Sequence, residues 1–197
     1  MKAEKRAIDN ETVYNYLENL EKAYLLHRCF RNDLQGKEIL KTQEKFYLAD
    51  TALRYSVLGY NSDSVASRLE NVVYLELCRR GYTTQIGKTA DGEIDFVASR
   101  QNEKLYVQVT QEIKSEKAEK REYERMLGLH DNYPKYVLTT DAFAGGNYEG
   151  IKTIMLKRIP HPKGCGILRV VDDYHLERIF PYICRLDGSN RCTTSMT

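Results

Sequence analysis

The stretch that most constrains this chain is EIDFVASRQNEKLYVQVT, from Glu93 to Thr110. It reads as two β-strands, Glu93–Ser99 and Lys104–Thr110, folded into a hairpin about the polar turn at Arg100–Glu103. Strict alternation places Glu93, Asp95 and Val97 on one face of the first strand and Ile94, Phe96 and Ala98 on the other. In the second strand Tyr106, Gln108 and Thr110 share a face, with Leu105, Val107 and Val109 opposite. An acidic side chain inside an apolar strand is costly to desolvate unless it is paired or holds a cation. Asp95 therefore either sits at a strand end facing water or belongs to a site. A carboxylate on one strand and an oxygen acceptor on its neighbour is how an oxygen-lined Mg²⁺ site for phosphodiester cleavage is assembled.

The surroundings extend this hairpin into a sheet. Asp91-Gly92 is a hairpin turn between a strand at Tyr82–Lys88 and the Glu93 strand, making a three-stranded meander. Before it lies a helix, Val65–Arg80, on which Ala66, Glu70, Val73, Tyr74 and Leu77 share one face. Glu70 points with the apolar residues, either as a site carboxylate or as a salt bridge at the helix margin. After the meander, Ser115 caps a charged helix reaching about His130, with Tyr123, Met126 and Leu127 as its buried stripe. Lys135–Thr140 and Ile151–Leu156 are further strands. The order α-β-β-β-α-β-β predicts a mixed sheet flanked by helices, with a crossover before Lys135.

Upstream, Asp9 and Asn10 cap a helix from Glu11 to Leu26 with Val13, Leu17, Leu20 and Tyr24 as its stripe. Two extended segments follow, Leu25–Arg31 and Ile39–Leu48, and then a short helix at Asp50–Leu58. A helix followed by a basic hairpin matches the back half of a winged helix. Arg28, Arg31, Lys37, Lys41 and Lys45 then populate the wing and its base, and Arg28, Arg31, Lys37 and Lys41 are the expected DNA contacts, through phosphates. The alternative is that the hairpin packs on its neighbour and its cations are solvated.

Composition narrows the function classes. Net charge is +2 over 197 residues, so any nucleic-acid surface must be a local patch. The five cysteines are scattered and form no CxxC pair, which argues against a disulfide framework or a zinc site and for a reducing, cytoplasmic setting. No apolar run is long enough for a membrane helix, and the N-terminus lacks a signal-peptide core. GGNYEGIKT, from Gly145 to Thr153, approaches a P-loop but has one residue too many before its lysine and leads into a strand, so no ATP site is expected. Ile167–Val171 reads as a strand and Asp172–Phe180 as a short helix.

Five segments taken in order carry a resemblance: KTQEKFYLADTALR (Lys41–Arg54), LENVVYLELCRRGY (Leu69–Tyr82), GEIDFVA (Gly92–Ala98), YVQVT (Tyr106–Thr110) and DNYPKYVLTTD (Asp131–Asp141). Together they resemble the PD-(D/E)XK, restriction-endonuclease-like domain of unknown function at the C-terminus of prokaryotic AAA+ ATPases. The resemblance implies a partial winged-helix segment over 1–60 and a restriction-endonuclease-like domain over 61–156; residues 157–197, a tail of unknown role, lie outside it. It also implies an AAA+ ATPase domain as partner, in the same or a neighbouring chain, and DNA as ligand. Mapped onto the motif, Glu70, Asp95 and Gln108 are the implied Mg²⁺ ligands and catalytic residues, and Thr110 stands where the motif has lysine. Glutamine brings no charge to a cation, and threonine cannot supply lysine's stabilisation of the phosphorane. The implied site is therefore weakened or inactive, unless Lys88 or Lys114 moves into the lysine's role. The other implied functions are an active Mg²⁺-dependent endonuclease and a protein-interaction module of an ATPase assembly.

Overall fold

The computed structural model describes residues 9–36, 38–59, 65–90, 92–111, 123–141, 146–159 and 167–170. Helix α1 (Asn10–Lys22) begins at Asp9, whose carboxylate accepts from the Thr12 backbone N–H at 2.6 Å. It stops short of the expected Leu26 because Tyr24 adopts φ 57° and the chain turns into a strand. Strands β1 (Leu26–Asp33) and β2 (Glu38–Leu48) form an antiparallel hairpin, followed by α2 (Ala52–Leu58) and α3 (Val65–Arg79). Gly81, at φ 78°, lets the chain leave α3 by the left-handed turn that a side chain disfavours. The meander is β3 (Thr83–Thr89), β4 (Gly92–Arg100) and β5 (Glu103–Thr110). Residues 123–127 are helical, and then come β6 (Lys135–Thr139), β7 (Gly146–Tyr148), β8 (Ile151–Ile159) and β9 (Ile167–Val170).

The protein is α/β, with one mixed sheet in the order β2-β1-β3-β4-β5-β6-β8-β7 and β9 paired to the far end of β8. Strand β1 runs parallel to β3 through Arg31↔Ile86, Asn32↔Gly87 and Asp33↔Lys88. The basic hairpin is thus continuous with the meander in one sheet. The physical reason is that β1 satisfies the backbone N–H and C=O groups along the free edge of β3. At the other end, β6 lies parallel to β5 and β8 parallel to β6, giving the expected crossover. Gly150 leads into β8 and not into a helix. The strand expected at Ile167 is β9, while the helix expected at Asp172–Phe180 and the first turns of the Ser115 helix lie outside the described residues.

Two apolar layers cover the sheet. On one face Val73, Tyr74 and Leu77 of α3 pack against Phe96, Ala98, Leu105 and Val107. On the other, Tyr123 and Met126 pack against Ile94, Val97, Tyr106 and Val137. Strand β4 is central and buried on both sides, which is why FVA reads as a continuous apolar run. Each fully buried side chain of this size, such as Leu77, contributes about 1.5–3 kcal/mol. By contrast α1 buries none of its residues; Val13 and Leu20 of the expected stripe are exposed, as is Tyr24 just beyond the helix.

Asn71 ties the end of the hairpin to α3. Its amide accepts from the Leu48 N–H at 2.9 Å and donates to the Leu48 carbonyl at 2.8 Å, fixing the end of β2 to α3. Removing the amide leaves both backbone groups without that partner. Asn71→Ala is expected to destabilise the fold by roughly 1–3 kcal/mol, read as a lower urea midpoint at unchanged slope.

Candidate functional site

The site is built around an irregularity in β4. The β3–β4 ladder pairs Gln85 with Val97 but Gly87 with Ile94, so β4 carries one extra residue there. This β-bulge breaks the strict alternation expected from the sequence. Ile94 joins Val97 on one face, whereas Phe96 joins Ala98 on the other, beneath α3. Gly87 sits opposite the bulge, where a Cβ would lie 2.8 Å from Val97 Cγ2 and 2.9 Å from Leu34 Cδ1. Asp95 occupies the bulge, close enough to Tyr47 for its charge to act on that phenol. Tyr47 belongs to the α3-side layer, so the bulge turns Asp95 toward the helix that carries Glu70.

Glu70 is held by two donors from β2. Lys45 Nζ donates to Glu70 Oε1 at 2.9 Å, and the Tyr47 hydroxyl donates to the same oxygen at 2.5 Å. Burial, followed by the Glu70 charge, pushes the Tyr47 phenol far above its ordinary range, so it stays protonated and donating. Tyr47 stacks on Tyr74 of α3 with ring centroids 4.2 Å apart, which fixes the direction of its hydroxyl. Beside this cluster, Arg31 Nε donates to Glu93 Oε1 at 2.7 Å, and that bond keeps the Glu93 carboxyl below its ordinary value. The nearby charges of Lys45 and Lys88 favour the Glu93 carboxylate to a smaller degree. Three carboxylates, Glu70, Glu93 and Asp95, thus lie among Lys45, Arg31 and Lys88.

Gln108 is placed differently. Strand β5 keeps a regular register with β6 from Tyr106 to Thr110. Leu105, Val107 and Val109 face the α3 layer and Tyr106 the opposite one. Alternation along β5 therefore puts Gln108 and Thr110 on the face away from Glu70. The Gln108 Oε1 accepts from the Asp95 backbone N–H at 3.2 Å, and Asp95 Oδ2 accepts from the Val109 N–H at 2.8 Å. These two bonds take over where regular β4–β5 pairing ends at Phe96↔Val107. The structure brings Asp95 and Gln108 into contact, and Glu70 and Asp95 around Tyr47, but it does not join all three on one face.

These residues do not fit a Mg²⁺ site. One oxygen of Glu70 already accepts from an ammonium and a phenol, and the Gln108 carbonyl is turned to an amide. Among the described residues no three His, Cys, Asp or Glu side chains gather closely enough to hold a metal. A hard divalent cation prefers charged oxygens and sheds its waters reluctantly, so it gains little from an amide and a carboxylate with its own counter-ion.

The expected DNA contacts are engaged within the fold where they are described. Arg28 donates to Glu21 at 3.0 Å, approaches Glu44 at 3.5 Å and lies 5.3 Å from the Phe46 ring centre. Arg31 is held by Glu93. The side chains of Lys37 and Lys41, like Lys114, lie outside the described residues. Lys88 is exposed on β3, paired in register with Glu93. Lys45 was expected only as one of the phosphate-contacting cations of the hairpin, and Tyr47 and Asn71 were not singled out as functional by sequence reasoning. The signal for the first two was the KFY triplet, whose alternation puts Lys45 and Tyr47 on one face of β2.

A family model described as a domain of unknown function, DUF8612, matches residues 2–64. An uncharacterised protein of Haemophilus influenzae is 38% identical over 152 residues, covering 77% of this chain and 37% of that protein. An uncharacterised protein of Methanocaldococcus jannaschii is 31% identical over 126 residues, covering 61% of this chain and 27% of that protein. The chain thus spans about a third of the length of the curated relatives it matches. No solved structure matches it significantly. No helix among the described residues is long and apolar enough to cross a membrane.

The Arg31–Glu93 pair makes a pH prediction. A carboxyl held below its ordinary value of 4.5 stabilises the fold above that value and loses the contribution as pH falls through the folded pKa. Glu93 is 38% exposed, so solvent screening limits the effect to at most about 1 kcal/mol. The urea midpoint should fall as pH drops from about 5 to 3, and Arg31→Ala should make that fall shallower.

Proposed function

We propose that this chain is a nuclease-like accessory module of a larger AAA+ ATPase, with a degenerate nuclease site that does not cleave DNA. The fold element of this reading is a restriction-endonuclease-like core. It is supported by the run α3-β3-β4-β5, a helical stretch at 123–127, and β6 laid parallel on β5. The ATPase element rests on the five-segment resemblance and accords with the greater length of the relatives. The observation that carries the silent site is the double hold of Lys45 and Tyr47 on Glu70. With Gln108 in place of a motif carboxylate and turned to the Asp95 amide, the site carries one full negative charge fewer than the motif would supply. Thr110 supplies no cation for charge developing in the transition state, a loss worth about 10²–10³ in rate.

DNA contact in this reading falls to Lys37 and Lys41, because Arg28 and Arg31 are engaged with Glu21, Glu44 and Glu93. Binding is then weak and salt-sensitive, and few counter-ions are released.

The test is cleavage of supercoiled plasmid by the purified chain with Mg²⁺ or Mn²⁺. Background activity is expected, and the pair Gln108→Glu with Thr110→Lys should remain near background while Glu70 is still held from β2. Robust cleavage by the unmodified chain, abolished by Asp95→Ala, would establish an active endonuclease instead.

A further inference from the structure

We infer that Lys45 is the resident cation of this site: its ammonium occupies the place at Glu70 that a divalent ion would need, and the two compete for that carboxylate. The inference deepens the reading of a silent nuclease-like site, and rests on it only for which site is meant. Nζ lies 2.9 Å from Glu70 Oε1, the oxygen that also accepts from Tyr47 at 2.5 Å. Lys45 and Glu70 are both largely shielded, with side chains 32% and 20% exposed. Attraction between such charges is stronger than at a fully hydrated surface, and one partner's charge is needed to neutralise the other.

The geometry makes Lys45 hard to displace. It rises from β2 one alternation step from Tyr47, whose ring is buried and stacked on Tyr74. The end of the same strand is fixed to α3 through Asn71. The ammonium therefore sits on a backbone already held against the helix that presents Glu70, so ordering it costs little extra side-chain freedom. Its charge also acts on Glu93, whose own counter-ion is Arg31. Each of these two carboxylates has an internal cation, and Asp95 is engaged by the Val109 N–H. An entering divalent ion meets a charge-balanced cluster and gains nothing until Lys45 leaves.

Mn²⁺ titration followed by its electron paramagnetic resonance signal, on the full chain, tests this. Wild type should show no saturable site dependent on Glu70. Lys45→Met should acquire one, at least about tenfold tighter than anything in wild type, and Lys45→Met with Glu70→Gln should lose it. Lys45→Arg, which keeps the charge, should behave as wild type. In parallel, Mg²⁺ should raise the Tm of Lys45→Met relative to an ionic-strength control and leave wild type unmoved. A stoichiometric Mn²⁺ site in wild type that Glu70→Gln removes overturns the inference, whether or not Lys45→Met folds. A folded Lys45→Met, confirmed by circular dichroism, without Glu70-dependent binding overturns it equally. Mn²⁺ binding by wild type without DNA cleavage would sink the inference and leave the accessory-module reading standing, whereas metal-dependent cleavage would sink that reading.

Discussion

One carboxylate oxygen, Glu70 Oε1, joins the two parts of this protein that the sequence presents as separate. Through Lys45 and Tyr47 it holds the edge strand of the hairpin against α3. Around that bond are the Asn71 amide on the Leu48 backbone and the stacked rings of Tyr47 and Tyr74. A polar group in this position is stable because every partner is supplied by a rigid element: a strand in the sheet or a helix packed on it. The same arrangement uses the electrostatic capacity that a metal-dependent site requires. A carboxylate cannot serve fully as structural anchor and as metal ligand, and here the anchor takes it.

The bulge in β4 settles the remaining geometry. By inserting one residue between Ile94 and Val97, it lets Asp95 and Phe96 both lie toward α3 and leaves Gln108 on the far face of β5. The backbone groups freed at the bulge are taken up by the Asp95 carboxylate and the Gln108 amide, acting across β4 and β5. Gln108 suits this better than a carboxylate would. An acceptor is needed for the Asp95 N–H, and a second negative charge beside Asp95 in a residue only 4% exposed would be costly. The glutamine at this position is thus accounted for by the local hydrogen bonding.

Much of the fold was legible because its signals are local. The Asp91-Gly92 turn, the alternation in β5 and the apolar face of α3 each act over a few residues, and the meander and crossover followed from them. The bulge was not legible: a strand with one extra residue looks in sequence like a strand without one, and only its partner β3 reveals the insertion. The continuity of β1 with β3 is likewise non-local, a parallel pairing between segments some 55 residues apart, as Arg31↔Ile86 shows. For the site, the helical spacing placed Glu70 toward the core correctly, and the salt bridge at the helix margin was the alternative that its neighbours realise. Sequence reasoning named Lys45 among the hairpin's basic residues, yet nothing local tells a lysine bound for phosphate from one bound for Glu70. Arg28 and Arg31 raised the same difficulty, and their carboxylate partners Glu21, Glu44 and Glu93 come from three different elements or strand ends.

The central claim is that Lys45 and Glu70 are energetically one unit joining β2 to α3. A double-mutant cycle with Lys45→Met, Glu70→Gln and the pair, read by urea unfolding, measures that directly. The account predicts that each single variant is destabilised and that the pair is less destabilised than the sum, by at least about 1 kcal/mol of coupling. Additive effects within experimental error would contradict it, since Lys45 would then be a solvated cation near Glu70 and not its counter-ion.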